Sequence, residues 1–170
     1  LELGRVGEIT LGMLKDVGPA FKTRDLAAFE DIARRDDQVD ILETAILEYM
    51  GRIRMGMLTE KESDEFQGLM TATDNIENLA DVIETDLVAL GRKAARFSGQ
   101  TGDETRQMLL ELYESTLTAL ELTVKAVRDN DQQAAESVVM MKNTLRDRTD
   151  RLLGRKAERL SAEAPSYIEL

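Results

Sequence analysis

Asp36 and Asp40 stand four residues apart, with Asp37 and Glu43 beside them, and Glu77 and Asp81 repeat the interval, flanked by Asp74 and Glu84. On a helix, four residues is about one turn, so each pair projects its two carboxylates from one face. Two such pairs on adjacent antiparallel helices could converge. Like charges at this spacing cost an isolated helix about 0.2–0.5 kcal/mol per pair, whereas a bound cation would turn the repulsion into coordination. The donors are oxygen atoms and the chain has no histidine and no cysteine, which suits magnesium, calcium, manganese or iron and argues against zinc or copper. The same spacing also describes a solvated acidic face, the commoner meaning of such pairs in a chain with 33 acidic residues among 170. Acid–base catalysis would need a pocket, a nucleophile or a glycine-rich phosphate loop beside the acids. None accompanies them, and the chain reads as a non-enzyme.

The absence of histidine and cysteine also excludes structural zinc, iron–sulfur clusters, disulfides and any serine– or cysteine–histidine catalytic pair. A formal charge of -11 repels phosphate backbones, so nucleic acid is not an expected partner. No apolar run approaches the roughly 20 residues that cross a bilayer. The 42% apolar content can fill a core, and with 4% aromatic residues that core must be aliphatic. The chain begins at Leu1 and ends at Glu169–Leu170, soon after a helix-start signal at Pro165, which reads as a piece of a longer protein.

The elements that must position the acids are helices. Val6, Ile9, Met13, Val17 and Phe21 recur at intervals of three or four and predict a first helix from about Glu2 to Lys22, kinked at Gly18–Pro19. Thr23 precedes a second helix, to about Met55, with Leu26, Phe29, Ala33, Val39, Leu42, Ile46, Tyr49 and Ile53 inward. Gly56 ends it. Thr59 and Glu62 form a capping box for a third helix carrying Phe66, Leu69, Met70, Ile76, Leu79, Ile83, Leu87 and Leu90 to about Phe97. Met50, Met55, Met57 and Met70 gather near the second turn and read as adaptable end-packing. After Ser98–Gly99–Gln100, Thr101 and Glu104 make a second box for a fourth helix with Leu109, Leu112, Thr116, Leu120, Thr123 and Val127 inward. Asp129 with Gln132 caps a fifth, running to about Leu160, and Pro165 announces a sixth. No stretch alternates with period two, so the expected fold class is all-α.

A shift of 106 residues lays Ala20–Asp25 over Ala126–Asp131 and pairs Ala28 and Glu30 with Ala134 and Glu136. Helix one then matches helix four and helix two matches helix five. Two repeated three-helix units follow, residues 1–98 and a partial 99–170 that lacks its last helix. Their charges differ: 12 basic and 20 acidic side chains against 10 and 13. The shift also places Lys142 over Asp36 and Arg146 over Asp40, so a second acidic site is not expected. From Lys142 to Arg159 there are seven basic and three acidic residues, a locally basic stripe that reads as a solvated face or as a contact for anionic lipid or an acidic partner. Apolar surface left open by the absent helix predicts self-association.

Asp36-Asp37-Gln38-Val39-Asp40-Ile41-Leu42-Glu43, with Arg24-Asp25-Leu26-Ala27 upstream, resembles the second-helix signature of the PhoU family. Asn75-Ile76-Glu77-Asn78-Leu79-Ala80-Asp81-Val82-Ile83 resembles its third-helix motif, with Leu-Ala-Asp where Ile-Gly-Asp is usual. The resemblance implies a PhoU-like fold of two three-helix units. It also implies that Asp36, Asp40, Glu77 and Asp81 hold a divalent or iron-type metal cluster. Leu160-Ser161-Ala162-Glu163-Ala164-Pro165 is most similar to the cytosolic C-terminal PhoU-like domain of sodium-dependent phosphate cotransporters. That resemblance implies a regulatory domain at the cytoplasmic face of the inner membrane. Its implied partners are the membrane transporter portion of the same protein and further copies of itself. The alternatives are a free-standing PhoU-type regulator of phosphate uptake and a structural helical interaction module.

Overall fold

The computed structural model describes residues 2–54, 56–96 and 102–163. Among these there is no strand. The helices are α1 (Glu2–Thr23), α2 (Leu26–Ala33), α3 (Asp36–Arg54), α4 (Glu60–Val82), α5 (Val88–Arg96), α6 (Asp103–Asp129) and α7 (Gln132–Glu163). A five-residue π-turn, Ile83–Leu87, joins α4 to α5, so these three pieces form one rod. The expected end of that rod at Phe97, the Ser98–Gln100 break and the sixth helix lie outside the described residues.

α1 is the axis of the first half: α3 and α4 pack along it, and α2 and α5 cover its other end. Val6, Met13, Phe29, Ile32, Val39, Ile83 and Val88 are wholly enclosed at their meeting, an aliphatic core around one phenyl ring. Phe29 packs edge-on against Phe21, with ring centres 5.1 Å apart. It also fills the space above Gly91, where a Cβ would stand 2.2 Å from the ring, so only glycine lets α2 and α5 approach this closely. The ion pair Arg92–Glu30, at 2.9 Å, closes the same contact from outside.

The second expected helix is two helices. A turn at Arg34–Arg35 divides it, with Arg35 N–H bonding Ile32 carbonyl at 3.1 Å and the Arg35 guanidinium reaching Asp16 of α1 at 2.6 Å. Yet Ile32, Val39 and Ile46 keep a seven-residue interval across it, so periodicity alone reads one continuous helix. Breaking here lets Phe29 and Ile32 point to α5 while Val39 points to α1 and α4. The capping residues also move. Asp25 caps α2, accepting from Ala27 and Ala28 N–H groups, and Thr23 instead donates to Pro19 carbonyl. Asp131, in place of Asp129, accepts from Ala134 N–H at the start of α7. α6 starts at Asp103 with Gly102 as its cap, one residue beyond the expected box, whose Thr101 lies outside the described residues. The Thr59–Glu62 box forms in both directions.

The corners at Arg24 and Asn130, 106 residues apart, share one geometry. Both residues are left-handed, at φ 57° and 51°. In both, the next residue's N–H bonds the alanine carbonyl five back, Asp25 to Ala20 and Asp131 to Ala126. Beyond the corners the halves diverge, since α7 runs straight where α2 and α3 break. Among the described elements α7 packs substantially only on α6, and Ala134 is its one buried residue among those described. Leu26, Tyr49, Leu69, Leu90 and Leu109, expected inward, are exposed, and so is Met57. A helix pair buries a full apolar face only where a third helix lies across it. Met50 is buried, and Met55 lies outside the described residues.

α1 runs unbroken through Pro19 to Thr23. Pro19 has no N–H for the Lys15 carbonyl one turn earlier. The Tyr113 hydroxyl of α6 supplies the missing donor, lying 3.1 Å from Lys15 carbonyl and 3.0 Å from Leu14 carbonyl. Its ring rests on Gly18, where a Cβ would meet it at 2.8 Å. Gly18, Pro19 and Tyr113 thus form a fitted contact between the two halves.

Candidate metal centre

α3 and α4 are joined by a short connection and pack side by side, hence antiparallel. Val39 of α3 and Thr73, Ile76 and Ala80 of α4 are buried. Thr73 keeps its hydroxyl satisfied by donating to Leu69 carbonyl at 2.9 Å. Anchored in this way, the helices turn Asp36, Asp40 and Glu43 on one side, and Asp74, Glu77, Asp81 and Glu84 on the other, toward a common seam. The intervals are four and three on α3, and three, four and three on α4.

Electrostatic coupling follows the antiparallel order. Burial first, then the charges of Asp40, Asp81, Glu84 and Asp37, push the Asp36 carboxyl up to about 6. Glu43 is raised by burial and by Asp40, Asp74 and Asp81. Glu77 is raised by burial, then by Asp81, Glu43, Asp40 and Asp36. Asp36 therefore faces the end of α4, and Glu43 faces Asp74. All four acids singled out for metal, Asp36, Asp40, Glu77 and Asp81, belong to this one set. Glu43, Asp74 and Glu84 join them, and their heptad-like spacing was the available signal.

Two local features shape the seam. Asp36 and Asp37 occupy the first turn of α3, where the helix dipole favours negative charge. Glu84 sits in the π-turn, with Thr85 hydroxyl donating to Asp81 carbonyl at 2.6 Å. Such single π-turns inside α-helices recur at functional sites. Nothing in the sequence pattern announces it.

No ion pair offsets these acids. Asp36, Asp37, Asp40, Glu43, Asp74, Glu77, Asp81 and Glu84 have no lysine or arginine within 4.0 Å among the described residues. Asp36 Oδ1 is buried without a hydrogen-bond partner, a situation that costs about 1–3 kcal/mol for an ordinary acceptor. In the side-chain positions of the structure no three of the acids close around a point suited to a metal ion. A cleft of about 560 Å³ between α4 and α6, lined by Gly68, Ala72, Asn75 and Thr123 among others, shares none of these carboxylates. Lys142 and Arg146, aligned with Asp36 and Asp40, are exposed on α7 and take no part in the seam.

No helix among the described residues is long and apolar enough to cross a membrane. No curated protein and no solved structure matches the chain. Residues 3–85, the span that holds all eight uncompensated carboxylates, match the model of the PhoU domain family, and in this half the chain is similar to a PhoU domain.

Proposed function

We propose that this chain is a non-enzymatic regulatory PhoU-like domain of a sodium-dependent inorganic phosphate cotransporter, with a metal held on Asp36, Asp40, Glu77 and Asp81. It sits at the cytoplasmic face of the inner membrane against the transporter portion of the same protein. The observation that carries this reading is the coincidence of two things in residues 3–85: the PhoU match and a seam of seven acids, with Asp37 beside it, that have no countercharge. The donor set fits a hard cation, being oxygen throughout, and the unpartnered Asp36 Oδ1 is a ready acceptor of positive charge. When bound, such an ion would neutralise the seam. The chain's own residues position it, through the buried faces of α3 and α4 and the π-turn that places Glu84.

The test is phosphate uptake in cells carrying the full-length gene, compared with cells in which residues 1–170 are deleted. Sodium-dependent uptake that persists but no longer falls when phosphate is abundant is the expected result. Uptake and regulation both unchanged by the deletion would refute the reading. Sodium-independent uptake through a separately encoded membrane protein, with regulation lost on deletion, would replace it with a free-standing PhoU-type regulator.

A further inference from the structure

α7 presents an outward face with no neighbour. Val139, Lys142, Arg146, Thr149, Leu153 and Lys156 follow one another at intervals of three and four, and every one is exposed, Val139 by 72% and Leu153 by 57%. The stripe spans about 26 Å. Its cations are little engaged. Lys142 and Lys156 have no ion pair among the described residues, and Arg146 only reaches the adjacent Asp147 at 4.0 Å. Two other arginines of the helix turn toward α6: Arg148 donates to Glu111 carbonyl and the Ser115 hydroxyl, and Arg155 pairs with Glu104, while Arg151 is exposed. The outward stripe is thus a separate set.

The acidic seam of α3 and α4 is the opposite case in the same molecule. Its carboxylates repeat at the same three–four intervals for about 15 Å along α4, without a cation. Aliphatic and aromatic surface lies along α3, Ile41 69% exposed and Tyr49 63%. The two surfaces do not meet within one chain: α7 packs on α6 and makes no substantial contact with α3 or α4 among the described residues. Sequence register matches them, since Lys142 and Arg146 fall where α3 has Asp36 and Asp40.

We infer that the α7 stripe is a docking surface for a second copy of this chain, seated on the acidic seam of that copy's α3 and α4. Charge complementarity selects this occupant. The seam offers seven carboxylates at the spacing of the cations, with apolar residues beside both. An anionic membrane would meet the cations equally well, but would repel the net charge of -11 carried by the chain as a whole. Pairing one copy's stripe with another's seam leaves a free seam or stripe at each end unless the association closes as a ring. The inference concerns the metal-free seam, whose charge a bound ion would neutralise, and a chelator holds the seam in that state throughout its test.

The experiment is sedimentation velocity of the whole chain in EDTA across a concentration series, at about 0.1 M and about 1 M ionic strength, where Debye lengths are about 10 and 3 Å. Association at the lower salt that is lost at the higher is expected. Two charge-reversed variants locate it: Lys142→Glu/Arg146→Glu, and Asp40→Lys/Glu77→Lys. Each alone should remain monomeric with an unchanged helical circular dichroism spectrum. An equimolar mixture should reassociate, because the acidic seam of the first still meets the basic stripe of the second. A monomer at every concentration, an assembly indifferent to both reversals, or mixing without recovery would each overturn the inference. So would binding of the wild-type chain to vesicles of one-third phosphatidylserine without self-association, which would make the stripe a lipid surface.

Discussion

At the α6–α7 corner Asp129 lies 2.7 Å from Arg128 and Asp131 lies 2.8 Å from Lys125, whereas the acids along the α3–α4 seam have no cation in reach. The consequences for protonation are opposite in sign. Hydrogen bonds from Arg128 and Lys125 hold Asp129 and Asp131 below the ordinary carboxylate range. Burial and mutual repulsion hold Asp36, Glu43 and Glu77 above it. The corners that begin the two second helices share one backbone geometry, yet only the first half buries its helices on several sides. Corner geometry therefore sets the path of the chain, and the side chains beyond it decide what each surface does. One half concentrates negative charge over a packed core. The other lays a mixed, partly basic helix on a single neighbour.

The largest difference between the halves should appear on truncating an apolar side chain. Phe29→Ala empties the space above Gly91 and should cost about 3–5 kcal/mol. Leu153→Ala on α7 should stay within about 0.5 kcal/mol. Urea denaturation followed by circular dichroism measures both, and similar costs would contradict the packing contrast.

Metal should separate the halves next. Manganese, iron, magnesium or calcium at a hundredfold excess over Kd should stabilise the fold by about 2.7 kcal/mol. The gain should vanish in Asp40→Ala/Asp81→Ala and survive Lys142→Ala/Arg146→Ala. A melting temperature indifferent to all four ions returns the acids to a solvated face.

The contact joining the halves gives a smaller effect. Tyr113→Phe leaves the Lys15 carbonyl without a donor and should cost about 1–3 kcal/mol. Restoring the helical N–H with Pro19→Ala should shrink that cost, which a double-mutant cycle reads as a coupling. Purely additive losses would show that the hydroxyl does not stand in for the missing N–H.

The smallest effect is the pH dependence. Asp36 has a folded value of about 6 against an ordinary 3.8, so the folded state binds the proton more tightly. As far as the seam is concerned, stability rises as pH falls from about 7 toward 5, and Glu43 and Glu77 act in the same direction. Asp129, Asp131 and Glu62, whose values are lowered, act oppositely: their stabilisation is lost as pH falls below about 4. Asp36→Asn should flatten the slope between pH 7 and 5 and leave the loss in acid unchanged. A slope that survives the substitution would assign it elsewhere.

Much of this contrast was legible in the residues. The periodicity of Val6 to Phe21, the Thr59–Glu62 box and the 106-residue shift yield the all-helical fold, and the paired intervals at Asp36–Asp40 and Glu77–Asp81 mark the acids. The seam's full extent, through Glu43, Asp74 and Glu84, depends on which helices become antiparallel neighbours, which spacing alone does not decide. The break at Arg34–Arg35 was not visible, because Ile32, Val39 and Ile46 keep a seven-residue interval across it. The π-turn was not visible, because an extra residue inside a continuous helix leaves propensity unchanged. Exposure of Tyr49, Leu69, Leu90 and Leu109 escaped the pattern for a different reason. Periodicity states which face is apolar, and only the neighbouring helices determine whether that face is covered.

Equilibrium dialysis against each of the four metals, with bound ion counted by mass spectrometry, tests the central claim that the α3–α4 seam is built to hold a cation. The account predicts at least one tightly held ion per chain in the wild type, none in Asp40→Ala/Asp81→Ala, and undiminished binding in Lys142→Ala/Arg146→Ala. Equal binding in all three proteins, or none in any, would contradict it.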